Sequence, residues 1–212
     1  MKTVSFDVFF DIDTQLDFLY PAGALYVPGA ERVVHAIAHL NRFAARHGMP
    51  VVSTTDAHFE DDVEFKTWPR HCVAGTIGQH KAETTLLERR VVIPNRACDL
   101  AGALAGNLAG ALASDGVQQI VVEKQTVDAF ATMNLGRILE RLQADRYVVY
   151  GVVTEICVLY AARGLLKTGK PVTVVTDAIE GLKAADSQRA LEEIRAAGGT
   201  LATVGQIVGQ IA

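Results

Sequence analysis

Unbroken apolar runs of strand length, separated by helical patterns, constrain this chain more than any other feature. Runs rich in Val, Ile and Phe stand at Val4–Ile12, Val51–Thr55, Val91–Pro94, Gln119–Glu123, Tyr147–Val153 and Val172–Thr176. Most do not alternate apolar with polar residues, so they predict strands covered on both faces. Between them, apolar residues recur at helical spacing over Glu31–His47, Leu100–Ala113, Ala131–Gln143, Glu155–Thr168 and Asp186–Ala197. In the first of these, Val33, Val34, Ile37, Leu40 and Phe43 form one stripe. Alternation of this kind predicts an α/β, three-layer αβα fold whose mainly parallel central sheet has about six strands joined by right-handed crossovers. Ligands gather beyond the carboxyl ends of such strands, so functional residues should follow strands.

Two helix ends are marked by glycine and then proline, at His47-Gly48-Met49-Pro50 and Thr168-Gly169-Lys170-Pro171. A left-handed C-terminal cap followed by a residue that cannot continue the helix has that pattern. The segment Ala101–Ala113 is nearly all Ala, Gly and Leu, with Gly102, Gly106 and Gly110 four apart. It predicts a smooth helical face packed on the sheet or on a second subunit, and it is too short to span a bilayer. With 212 residues, 50% hydrophobic and 21% charged, and with no flexible linker, the chain reads as a single domain over residues 1–212.

A net charge of -4, scattered along the sequence, offers no basic stretch for phosphates, which argues against a nucleic-acid partner. The start, Met1 to Asp7, holds no signal-like apolar core, and no membrane-length apolar run follows, so a cytoplasmic location is expected. Three cysteines, an odd count, argue against a disulfide framework and leave room for a working thiol.

Three strand ends carry reactive side chains. After Tyr147–Val153 the chain turns sharply at Thr154-Glu155-Ile156 into Cys157, near a helix N-terminus that favours a thiolate. By itself Cys157 fits a core thiol better than a nucleophile. Asp13 directly follows the first apolar run, with Asp11 and Asp17 nearby, and alone could be a turn cap. Lys124 ends Ile120-Val121-Val122-Glu123 and alone would be a surface charge. Together they supply a nucleophile, a carboxylate to move its proton, and a cation beside the sulfur, which is what amide cleavage needs. Backbone N–H groups at the start of the cysteine helix would receive the oxyanion.

The motifs Asp13-Thr14-Gln15-Leu16-Asp17-Phe18, Lys124, and Gly151-Val152-Val153-Thr154-Glu155-Ile156-Cys157-Val158 resemble those of the isochorismatase-like cysteine hydrolases, nicotinamidases above all. The resemblance implies that fold, a catalytic triad of Asp13, Lys124 and Cys157, and a thioester intermediate on the cysteine. It further implies a cis peptide between Val152 and Val153, an oxyanion hole formed by the N–H groups of Val153 and Cys157, and a homo-oligomer.

After the second strand come Asp56-Ala57-His58 and Glu64-Phe65-Lys66-Thr67-Trp68-Pro69-Arg70-His71-Cys72. Two imidazoles with one or two carboxylates suit a divalent metal, Zn²⁺ first, with Mn²⁺ or Fe²⁺ as alternatives, although residues so loosely spaced more often are loop histidines beside solvated acids. Asp56-x-His58 followed by Trp68-Pro69-x-His71-Cys72-Val73 resembles the metal loop of nicotinamidases and pyrazinamidases. The resemblance implies Asp56, His58 and His71 as ligands, Glu64 as a further one, and a metal that orients the pyridine ring. Phe18 and Trp68 correspond to residues that line the ring pocket. Two departures bear on that pocket: the family's usual Asp-Trp-His-Pro reads Asp56-Ala57-His58-Phe59 here, and Gln125-Thr126-Val127 replaces a segment richer in Gly and Ser.

The expectation is a metal-dependent amidase whose partner is a small carboxamide, most simply nicotinamide. A maleamate or N-carbamoyl substrate is the alternative, for which Arg70 and Arg96 are the nearby cations. An inactive binding or scaffold homologue is the alternative of another class.

Overall fold

The chain's structure, a computed structural model, describes residues 6–103 and 116–211. One sheet contains β1 (Asp7–Ile12), β2 (Val51–Asp56), β3 (Arg90–Ile93), β4 (Gln119–Lys124), β5 (Arg146–Val152), β6 (Val172–Glu180) and β7 (Thr200–Ala202). The order across it is β3-β4-β2-β1-β5-β6-β7, with every neighbouring pair parallel. The sheet thus has seven strands where the apolar runs predicted about six. β7 is only three residues long, one exposed, one half-buried and one buried, so its own sequence carries little signal. Pairing with β6 makes it a strand, reinforced by a 2.8 Å hydroxyl contact between Thr173 and Thr200.

The helices are α1 (Leu16–Leu19), α2 (Val34–Arg46), α3 (Leu100–Ala103), α4 (Leu135–Leu142), α5 (Leu159–Leu166), α6 (Ala184–Ala196) and α7 (Val204–Ile211). α2 packs with α7, and α5 packs with α6, giving the two outer layers around the sheet. Several expected helices are shorter because their first turns are irregular. Ala30–Arg32 forms a 3₁₀ turn before α2, and Ala129–Ala131 forms another well before α4. Thr154–Val158 forms a wide π turn before α5. Gly48 and Gly169 both take positive φ, 69° and 78°, as the predicted helix ends require. Of the Ala- and Gly-rich segment, residues 104–113 lie outside the described residues, and with them the smooth face that suggested a second subunit. No helix among the described residues is long and apolar enough to cross a membrane.

β1 and β2 are buried along their whole length, whereas β3, on the sheet edge, is largely open. β1 sits between β2 and β5: the chain builds β2, β3 and β4 on one side of it and crosses from β4 to β5 on the other, so the strand order reverses there. The carboxyl ends of β1, β2, β4 and β5 therefore meet at one crevice. Gly151 sets the spacing there. Its φ is +121°, and a Cβ would lie 2.1 Å from the Ile12 carbonyl oxygen, on the strand that leads to Asp13.

Gly151→Ala should accordingly lower stability by about 2 kcal/mol or more, shifting the thermal midpoint down by roughly 4–8 °C for a domain of this size. Gly136→Ala, inside α4 with nothing within 4 Å of the added Cβ, should be neutral or raise it by up to about 1 kcal/mol. Calorimetry of both variants checks the pair.

Candidate active site

Lys124, the last residue of β4, is fully buried, and its ammonium is the centre of the crevice. Nζ lies 2.9 Å from Asp13 Oδ2, 2.5 Å from Asp56 Oδ1 and 3.8 Å from Cys157 Sγ. The three strand-end residues picked from the sequence are thus side by side, and Asp56, expected only as a metal ligand, is a fourth member of the cluster. A buried ammonium needs such counter-charges. Burial works to lower the Lys124 pKa, but Asp13 and Asp56 outweigh it and hold it well above the ordinary lysine value.

The two carboxyls on Lys124 differ. Burial acts to raise the pKa of Asp56, yet the Lys124 ammonium overcomes it and leaves Asp56 far below the usual carboxylate range. At Asp13 burial prevails over the pull of Lys124, the Asp56 charge adds to it, and the pKa is raised. Asp56 therefore stays ionised, and Asp13 is the carboxyl poised to exchange a proton. The Cys157 thiol is also driven well above its usual pKa, by burial first, with Lys124 opposing. A resting thiol, rather than the thiolate a helix N-terminus alone would favour, is the outcome. Cys157 lies within the π turn, so desolvation there exceeds the dipole's pull.

Local backbone explains the aim of these groups. Asp13 takes φ 48°, which ends β1 and turns its side chain inward, where Thr54 Oγ1 donates to Oδ1 at 2.6 Å. Gln15 then ties two strand ends together. Its Nε2 donates to the Asp56 carbonyl at 2.8 Å and to the Gln79 carbonyl at 2.7 Å, and its Oε1 accepts from Asp56 N–H at 2.7 Å. The acids crowded near Gln15 have separate duties. Asp11 forms a second buried pair with Lys81 at 3.1 Å, joined by Thr14, Asn41 and Ser53. Asp17 accepts from Ala24 N–H at 2.9 Å and Cys72 N–H at 2.7 Å, fastening two loops over the crevice.

Asp56, His58 and His71 come together as the sequence reading grouped them, with ligand atoms within 4.8 Å of one another and all three residues buried. A short parallel bridge between His58 and Val73 brings the second loop to the first: His58 N–H donates to Cys72 O at 3.1 Å, and Ala74 N–H donates to His58 O at 2.9 Å. Each ring has its Nδ1 against an atom that can only accept, Asp62 Oδ2 at 3.0 Å for His58 and Pro69 O at 2.7 Å for His71. Both Nδ1 atoms must then carry the hydrogen, which turns the lone pairs of Nε2 inward. Those atoms face Asp56 Oδ2 at 3.9 and 3.7 Å, and His58 Nε2 is buried without a hydrogen-bond partner. Converging lone pairs with an orphaned buried nitrogen fit a divalent cation with N and O ligands. Glu64 lies on the pocket wall but outside this cluster of three. Its pKa is raised, by burial first and then by the charge of Asp56.

Cys157 and Asp56 open onto a pocket lined also by Phe18, Leu25, Val27, Glu64, Trp68, His71, Val127, Val152, Val153, Ile156 and Leu182. Phe18 and Trp68 are thus on its wall, with the Phe18 ring 5.3 Å from that of His71. Val153, joined to Val152 by a cis peptide, is there as well. Of the two sequence departures, Ala57 is buried and Phe59 is 66% exposed, pointing away from the pocket. Val127, from the other, contributes an apolar wall. Neither Arg70 nor Arg96 lines the pocket; Arg70 pairs with Glu60 near the surface. Sequence reasoning missed Phe65, packed beside both the His58 and His71 rings at 5.2 and 5.8 Å, and Asp62, whose spacing of four residues from His58 was the only available cue. Leu25, Val27 and Leu182 reach the site only through tertiary packing.

Residues 8–206 match the family model described as the isochorismatase domain. The nicotinamidase/pyrazinamidase of Mycobacterium tuberculosis is 29% identical over 196 residues, covering 88% of this chain and 92% of the relative. The nicotinamidase of Escherichia coli is 26% identical over 220 residues, covering 91% and 92%. Among solved structures, the pyrazinamidase of Pyrococcus horikoshii in complex with zinc shares 27% identity and a TM-score of 0.76, covering 93% of this chain and 99% of that one.

Removing the central cation tests the electrostatics directly. In metal-free protein, Lys124→Met should cost about 3–5 kcal/mol, because it leaves two buried carboxyls without a counter-charge. The deficit should shrink from pH 8 to pH 5, since protonation of either carboxyl relieves it, and urea melts at both pH values measure the change.

Proposed function

The chain belongs to the isochorismatase family, and on that premise we propose that it is a metal-dependent cysteine amidohydrolase that converts nicotinamide and water to nicotinate and ammonia. The observation that carries the reading is the Lys124 ammonium, shared by Asp13, Asp56 and Cys157 at the mouth of an apolar pocket beside the Asp56–His58–His71 cluster. The pocket supports a neutral planar amide over an anionic one. Its described lining carries Asp56 and Glu64 and neither arginine nor lysine, so beyond the cation of the ligand cluster a maleamate or N-carbamoyl acid would find no basic side chain to receive its carboxylate.

In the proposed reaction the Cys157 thiol gives its proton to Asp13 as sulfur attacks the amide carbon, so no long-lived thiolate is required. The new oxyanion is received by the N–H groups of Val153 and Cys157. Asp13 then returns the proton to the departing nitrogen, ammonia leaves, and a thioester joins the acyl group to Cys157. Water attacks the thioester while Asp13 takes up its proton, and the acid departs as the thiol is restored. Lys124 keeps Asp13 and the sulfur in register throughout. Asp56, His58 and His71, with Glu64 as a further candidate, would hold a divalent cation, zinc in this reading, that supplies a Lewis-acid contact for the ring nitrogen. Phe18 and Trp68 would flank the ring.

The reading is tested by ammonia release from nicotinamide and pyrazinamide with and without a chelator. Asp13→Asn should lower kcat by about 10²–10⁴-fold while leaving the fold intact, and retained turnover would exclude Asp13 as the proton carrier. His71→Ala should lose metal and raise KM at least as much as it lowers kcat, which separates ring positioning from bond cleavage. Release from neither amide by the metal-loaded protein, with hydrolysis of an anionic carboxamide instead, would move the chain to the alternative substrate class.

A further inference from the structure

We propose that Asp62 is a positioning residue of the metal site, fixing the His58 ring so that Nε2 faces the cation and holding the turn that carries Glu64. The inference rests on the metal reading above. Asp62 is no ligand itself: its side chain is buried on the far side of the His58 ring, 6% exposed, with Oδ2 3.0 Å from Nδ1. A carboxylate there can only accept, so the ring hydrogen is confined to Nδ1 and the lone pair to Nε2, the atom left without a partner in the interior. A charged acceptor behind a histidine ligand also strengthens the nitrogen in front as a donor.

The same carboxylate has a second duty. Asp62 Oδ1 accepts from Glu64 N–H at 3.0 Å and caps the 3₁₀ turn Val63–Lys66. That turn presents Glu64 to the pocket and sets the Phe65 ring 5.2 Å from the His58 ring. One side chain thus orients a ligand ring through one oxygen and the turn beside it through the other. His71 has no equivalent side chain, since its Nδ1 is held by the Pro69 carbonyl, a backbone group. Serine at position 62 would separate the two duties. Its single hydroxyl can cap Glu64 N–H but is too short to reach His58 as well.

The test uses the full chain stripped of metal and titrated with zinc against a chromogenic chelator, alongside ¹⁵N spectra of the imidazoles. Asp62→Ser should weaken zinc binding by about 10–100-fold, with the metal-free chain still folded. In the zinc-loaded wild type, His58 should coordinate through Nε2 with its hydrogen on Nδ1. Equal zinc affinity in Asp62→Ser and wild type, or coordination through His58 Nδ1, would overturn the assignment of Asp62 while leaving the metal site standing. A wild-type chain that takes up no zinc would overturn the metal reading and this inference together.

Discussion

A single buried ammonium organises this protein. Lys124 has no exposure to solvent, and each counter-charge it requires comes from a different strand, Asp13 after β1 and Asp56 at the end of β2. Satisfying that charge forces the ends of β1, β2 and β4 into one arrangement, since leaving the cation unpaired in the interior would cost several kcal/mol. The sulfur of Cys157, brought in by β5 and the turn after it, completes the set. The parallel sheet supplies the geometry, because strands adjacent in space but distant in sequence all point their carboxyl ends the same way.

Asp56 gives the cluster a second direction. One of its oxygens meets Lys124 and the other faces the two histidines, so a single carboxylate borders both the buried ammonium and the histidine pair. The loops around it are held by hydrogen bonds of low sequence locality: Gln15 to the Asp56 backbone, Asp17 to Cys72, and the bridge between His58 and Val73. Beneath them the Asp11–Lys81 pair fills the base of the first strand end with a separate polar network. A neutral amide entering this pocket would meet apolar walls on most sides and fixed polar atoms at one end, the distribution that orients a small ligand.

Much of this was legible beforehand. Buried strands announce themselves because both faces must be apolar, and for that reason β1, β2, β4, β5 and β6 stood out while the short edge strand β7 did not. Asp13, Lys124 and Cys157 were recognisable because polar side chains directly after buried strands need a reason to be there, and the motif resemblance agreed with that reading. At Cys157 the helix N-terminus favours a thiolate and burial opposes it. Sequence shows the nearby helix dipole but not the depth of burial, and burial prevails.

The sequence by itself determined the layered α/β architecture, the strand ends that matter and the residue types able to act there, since periodicity and side-chain chemistry are local properties. Only the tertiary structure decided that Asp56 serves Lys124 as well as the histidines, that Phe59 points to solvent, and that Asp62 stands behind His58. It also decided that no arginine reaches the described pocket lining. Those outcomes depend on which distant segments share a few ångströms of low-dielectric space. Chain order does not record that, and only packing fixes it.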